Sequence, residues 1–155
     1  MLRRATAADA DAIAEVLTAA RAAQSWFPRI HTSDDTHRFV RERLLPENET
    51  WVAEQDGRVV AFAALQGDVL GHLFVRPDAQ RSGIGTALLE HTQRLRPDGF
   101  SLWTHQASEA CAFYEARGLV AVEWTDGATT MEKLPDVRYE WRPPTGPAGP
   151  GSRGR

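Results

Sequence analysis

The chain has 155 residues, a formal net charge of −3, 42% hydrophobic and 25% charged residues. That is enough for one domain with a buried core, in the proportions of an ordinary globular protein. The acidic balance argues against a general nucleic-acid binder, and no apolar run approaches the ~20 residues of a membrane span. The single cysteine, Cys111, excludes an internal disulfide. The start, M-L-R-R-A-T-A-A-D, has basic residues but no apolar stretch behind them. A secretory signal is therefore not expected, and a cytoplasmic location is.

Leu2 to Ala5 reads as a short strand. Thr6 and Asp9 form a capping-box pattern, and Ile13, Val16, Leu17 and Ala20 mark the apolar side of the helix that follows. Trp26, Phe27 and Pro28 belong to a loop. Ser33 or Asp34 caps a second helix with Phe39, Val40 and Leu44 on one side. Trp51 to Glu54 and Val59 to Leu65 are strands joined at Asp56-Gly57, a strong hairpin signal. Asp68 starts a further strand. A helix then carries Ile84, Leu88, His91 and Leu95 and stops at Pro97-Asp98-Gly99. Phe100 to Trp103 is a strand, Ser108 to Ala116 a helix ended by Gly118, and Leu119 to Trp124 a strand. One or two strands close the domain near Met131 to Leu134 and Arg138 to Arg142. The tail, 143–155, is rich in Pro, Gly and Ser and is expected to be disordered, leaving 1–142 as the domain. The order β-α-α-β-β-β-α-β-α-β-β is that of a mixed α/β sheet with helices on its faces.

The most informative stretch is a strand (Leu73, Phe74, Val75), a turn at Arg76-Pro77-Asp78, and Gln80-Arg81-Ser82-Gly83-Ile84-Gly85 opening a helix. The first N–H groups of a helix lack partners inside it and carry the positive end of its dipole. Glycines let a phosphate approach that backbone, so the loop is a candidate anion cradle, with Arg81 as an added cation. A nucleoside-triphosphate loop would need Lys-Ser or Lys-Thr after its last glycine, where this chain has Thr86-Ala87. A dinucleotide fingerprint would need glycine at Leu88.

Q-x-x-G-x-G after a strand resembles motif A of the GNAT superfamily, the Gcn5-related N-acetyltransferases. A second block, Ala110-Cys111-Ala112-Phe113-Tyr114-Glu115-Ala116-Arg117-Gly118-Leu119, resembles the family's A-x-x-F-Y-E-x-x-G-[FL] segment and follows in the family's order. The resemblance covers roughly 1–142 and is to small bacterial members. It implies a mostly antiparallel mixed sheet of six to seven strands flanked by about four helices. It also implies transfer of an acetyl group from acetyl-coenzyme A to a primary amine, by direct attack in a ternary complex.

Carried over residue by residue, the resemblance gives Arg81, Ser82, Gly83, Ile84, Gly85 and Thr86 to the pyrophosphate. It gives the strand Leu73, Phe74 and Val75 to the pantetheine arm, and Tyr114 to protonation of the departing thiolate and to cofactor contact. Many members have Asn seven residues before this tyrosine; that position is Ala107, and the adjacent Ser108 is the substitute cofactor contact. A base must deprotonate the acceptor, and histidine suits neutral pH. His72 on the motif A strand is the candidate base, with a histidine facing the helix side of the sheet as the alternative. His31 and His105 are candidates for lining the acceptor side. His91 is read as structural, His37 as solvated, Phe113 as core and Cys111 as a packing residue. No His/Cys spacing suggests a metal. The implied acceptor is a small-molecule or peptide amine, with neither nucleic acid nor membrane as partner, and a homodimer is a family-level expectation. A catalytically silent acyl-coenzyme A binding module, or transfer of a larger acyl group, is the alternative reading.

Overall fold

The protein, represented by a computed structural model, is described over residues 1–28, 32–130 and 132–144. Seven strands form one sheet: β1 Leu2–Arg4, β2 Glu49–Gln55, β3 Arg58–Gln66, β4 Val69–Val75, β5 Phe100–His105, β6 Val120–Thr125 and β7 Asp136–Trp141. Their spatial order is β1-β2-β3-β4-β5-β7-β6, and every neighbouring pair is antiparallel except β4 with β5. The helices are α1 Ala10–Ala22, α2 Ser33–Phe39, α3 Leu45–Glu47, α4 Ile84–Leu95 and α5 Ala110–Ala116. A π-helical segment, Val40–Leu44, runs α2 into α3.

Two cores lie on opposite faces of the sheet. On one face, Ile13, Val16 and Leu17 of α1 pack with Val40 and Leu44 against Val52, Phe62 and Ala64, all buried. On the other, Leu88 and Leu89 of α4 and Tyr114 of α5 pack against Ala61, Ala63, Leu65, Leu70, Phe100 and Leu102. Burying a side chain of this size contributes about 1.5–3 kcal/mol. β3 is covered on both faces, which accounts for its unbroken run of apolar residues from Val59 to Leu65. The β2–β3 turn has Asp56 at φ +56° and Gly57 at φ +76°, the backbone that Asp-Gly favours in a two-residue hairpin.

The first helix starts as expected. The Asp9 carboxylate accepts the Thr6 N–H at 2.8 Å and is gripped by both Nη atoms of Arg3, at 2.8 and 2.9 Å. The second helix is capped one residue earlier than expected. Thr32, not Ser33 or Asp34, is its N-cap: the Thr32 hydroxyl accepts the Asp35 N–H at 3.0 Å, and the Asp35 carboxylate accepts the Thr32 N–H at 3.1 Å. α5 begins at Ala110 rather than Ser108, whose hydroxyl accepts the Ala110 N–H at 3.1 Å. His37 is not simply solvated: its Nδ1 lies 2.9 Å from Asp11 Oδ1 and ties α2 to α1. Among the described residues one strand, β7, follows β6. Residues 132–134 form an irregular loop in which Lys133 has φ +57°, Lys133 N–H donates to Thr130 Oγ1, and Thr130 Oγ1 donates to Gly127 O. Local hydrogen bonds there replace a ladder. Met131, His31 and residues 145–155 lie outside the described residues, so the expectations for His31 and for most of the tail are not addressed by the fold.

Candidate active site

The β4–β5 junction is the break in the sheet. Their only registered pair is Val69 with Ser101, where the Ser101 N–H donates to Asp68 O at 3.0 Å. Beyond it both strands run on for several residues without pairing to each other. Between Ala64/Leu65 and β4 the register slips by one, leaving Gly71 as the extra residue of a bulge. A bulge bends its strand and changes which backbone groups face which neighbour. Past the bulge, the Arg76 N–H donates to Val60 O at 2.8 Å. Antiparallel alternation then turns the peptide groups of His72 and Phe74 toward β3, and those of Leu73 and Val75 toward the gap. Val75 O accepts from Gln80 Nε2 at 3.2 Å, as this orientation requires. Of the three strand residues proposed for the cofactor arm, Leu73 and Val75 therefore expose an edge. Phe74 spends its backbone on β3, and its ring packs with Phe62 at 5.8 Å.

The glycine-rich loop stands at the end of that edge. Arg81 at φ +66° and Gly83 at φ +85° place two left-handed residues just before α4. The first helical bond is Ala87 N–H to Gly83 O, and among the described residues no acceptor takes the N–H groups of 81–86. Successive unpaired N–H groups at a helix N-terminus form an anion site. Arg81 is exposed, and Ser82 Oγ donates to Ala79 O at 2.6 Å. Gly85 faces Phe113 and Val75: a Cβ there would stand 3.4 Å from Phe113 and 3.7 Å from Val75, ordinary contact distances.

Tyr114 lies under the gap, 6% exposed, in the cluster that includes Leu73 and Val75. Its ring is 5.4 Å from Phe113 and 5.9 Å from Tyr139. Burial, with the neighbouring Cys111 thiol, raises its pKa and keeps the phenol protonated. Phe113 is only partly buried, with the Arg117 guanidinium 4.0 Å above its ring. Cys111 Sγ contacts His105 O at 3.5 Å, in keeping with packing. Ser108 is buried with its hydroxyl capping α5, and the neighbouring Ala107 is exposed.

The histidines divide by face. His72 points to the α1/α2 face, its ring 5.9 Å from Phe39 and 6.2 Å from Phe74; burial, aided by the charge of Arg21, lowers its pKa to about 4. His105, at the end of β5, points to the same face, opposite Phe100 and Leu102 in the strand alternation. The rings of Trp26 and Phe27 flank it at 5.3 and 5.6 Å, and its Nδ1 lies 3.5 Å from Asp136 Oδ1. That separation is long for a hydrogen bond, and Nδ1 is a buried atom without a hydrogen-bond partner. His91, far along α4, meets Trp51 edge-to-face at 4.3 Å, as a structural group. Trp26, Phe27 and Asp136 carry no local signature; only the loop crossing toward β5 brings them together.

A splayed parallel strand pair, a helix N-terminus with free N–H groups and a buried tyrosine thus lie together. Residues 46–119 match the family described as Acetyltransferase (GNAT) domain. The chain thus resembles that GNAT family over just under half of its length. It is 36% identical over 92 residues to peptidyl-lysine N-acetyltransferase YiaC of Escherichia coli (strain K12), covering 57% of this chain and 62% of that one. The chain thus spans less than two thirds of that relative's length. Its fold matches apo YjaB from Escherichia coli with a TM-score of 0.76 at 22% identity, over 91% of this chain and 96% of the other. It also matches the PaiA N-acetyltransferase of Thermoplasma acidophilum, solved in complex with coenzyme A, with a TM-score of 0.70 at 19% identity, over 92% and 98%. The expected fold class, a mostly antiparallel mixed sheet with flanking helices, is the one observed. Among the described residues no helix is long and apolar enough to cross a membrane, and no cluster of His, Cys, Asp and Glu could hold a metal.

Proposed function

We propose that the chain is an N-acetyltransferase that moves an acetyl group from acetyl-coenzyme A to a primary amine, by direct attack in a ternary complex. The observation that carries this is the continuity of free backbone N–H groups: those of Leu73 and Val75 on the exposed edge lead into those of 81–86. An extended arm ending in a pyrophosphate fits that line, by strand addition along one part and anion binding along the other. Arg81 adds a mobile cation at the phosphate end.

The chemistry follows from the two faces. The amine nitrogen attacks the thioester carbonyl from the α1/α2 side, where His72 and His105 lie. An N–H of Leu73 or Val75 holds the oxygen as its charge develops; a fixed donor of this kind is worth about 3 kcal/mol. The C–S bond breaks, and Tyr114, protonated and on the opposite face, gives its proton to the sulfur. His105 is the better placed base. Asp136 lies beside its Nδ1, whereas His72 with a pKa near 4 holds a proton weakly. Holding both reactants along one cleft supplies much of the rate. The relatives' names make a peptide lysine or a small amine the first acceptors to try. Steady-state release of coenzyme A with an amine panel tests the reading. Tight acetyl-coenzyme A binding without turnover on any amine would instead make the chain a silent binding module.

A further inference from the structure

Arg21, in the last turn of α1, is a half-buried cation that the proposed chemistry does not use. Its Cζ stands 5.3 Å from the Phe27 ring centroid. Among the described residues its guanidinium has neither an ion pair nor a hydrogen bond. Burial lowers its pKa, and it lies within electrostatic reach of His72 on β4 and of Glu132 in the β6–β7 loop. Those three neighbours come from three elements around the α1/α2 side of the cleft, so the guanidinium sits at the acceptor side. Half-buried guanidinium donors that no described residue accepts are costly to maintain. They are matched by an anion that takes them in pairs.

Phe27 also adjoins a carboxylate-bearing group. Phe27 is 5.6 Å from the His105 ring, and Asp136 lies behind it. A cation and an imidazole–carboxylate pair thus both adjoin the rings of Trp26 and Phe27. Resting on the acetyltransferase reading, we infer that the acceptor is an amine that also bears a carboxylate: the carboxylate on Arg21 and the amine toward His105 and Asp136. A monoanion is favoured over a phosphate because Glu132 and Asp136 oppose a second negative charge.

The test compares matched acceptors with the acetyl-coenzyme A-saturated protein: free amino acids, their carboxamides, and lysine peptides with free or amidated C-termini. Coenzyme A release gives kcat and KM for wild type, Arg21→Gln and Arg21→Lys. Loss of a charge-assisted, paired contact predicts about tenfold or more preference for acid over amide, expressed in KM. Arg21→Gln should erase that preference with kcat nearly unchanged, and Arg21→Lys should restore part of it. Free amino acids and peptide C-termini are separated by which acids are preferred. Equal use of acids and amides by wild type, or an equal loss for both in Arg21→Gln, overturns the inference. Absence of turnover with every amine overturns the acetyltransferase reading instead. In that case the Arg21 Nε–H NMR signal is followed during titration with a free amino acid and its amide. A shift with the acid alone supports the carboxylate site, and its absence overturns it.

Discussion

Arg117, the C-cap of α5, donates from Nε to Thr86 Oγ1 on α4 at 2.9 Å. The same guanidinium covers the Phe113 ring, and Phe113 in turn packs against Gly85. The helix that carries Tyr114 is therefore fastened to the loop proposed for the pyrophosphate. Arg117→Leu should weaken acetyl-coenzyme A binding by about 3- to 10-fold, the worth of one exposed hydrogen bond with a cation–π contact, with little change in Tm. Calorimetric titration beside thermal unfolding checks it; unchanged affinity would show that the contact only decorates the surface.

The phosphate loop has a sharper test. Gly83 has φ +85° and open space at its Cβ position, so both Asn and Asp fit there with similar strain. Gly83→Asp should abolish measurable acetyl-coenzyme A binding, because a carboxylate competes with the pyrophosphate for the same N–H groups. Gly83→Asn should retain much of the affinity. Arg81→Ala should cost about 1–3 kcal/mol of binding if its contact is charge-assisted. Equal, wild-type affinity in the Asp and Asn proteins would remove the loop from the binding site.

Tyr114→Phe keeps the buried ring and removes only the hydroxyl. Turnover should fall by about 10- to 10⁴-fold, the range for a lost general acid, with cofactor affinity and fold retained. Coenzyme A release at saturating substrates, where chemistry limits the rate, gives the comparison. Equal turnover would leave protonation of the thiolate to water.

His72 makes a prediction about stability. Its pKa is about 4 in the folded protein against 6.5 ordinarily. Below pH 6.5 the unfolded chain takes up a proton that the folded one refuses, so the contribution of this group is full above pH 6.5 and is lost as pH falls toward 4. The loss approaches about 3 kcal/mol for this separation. His91, whose pKa burial also lowers, acts in the same direction. The comparison of wild type with His72→Gln in urea unfolding at pH 7 and pH 4.5 isolates the His72 share. An equally steep acid loss in both proteins would assign it elsewhere.

Deletion of residues 143–155 should leave Tm and cofactor affinity unchanged, since the segment lacks apolar residues to bury. A fall of several degrees in a thermal melt would show that it docks.

Sequence alone determined the order of elements, the Asp56-Gly57 turn, the glycine loop before α4 and the apolar stripe of α1. Each is set by local chemistry: side-chain periodicity, a cap, or a residue that tolerates φ above zero. Where two local solutions compete, the reading slipped by a residue or two. Thr32 won over Ser33 because its hydroxyl and the Asp35 carboxylate satisfy each other's backbone, and Thr130 took hydrogen bonds with Gly127 and Lys133. The proposed acceptor side was legible only at His105, which ends a strand. Trp26, Phe27, His105, Asp136 and Arg21 lie far apart in the chain and share no pattern. The bulge at Gly71 and the splay of β4 from β5 aim the backbone edge of Leu73 and Val75, and the α1–α2 loop brings Trp26 and Phe27 to His105. Tertiary structure decided which histidine has a carboxylate beside it and which is held neutral in an aromatic wall, because burial and charge at a site depend on what packs there.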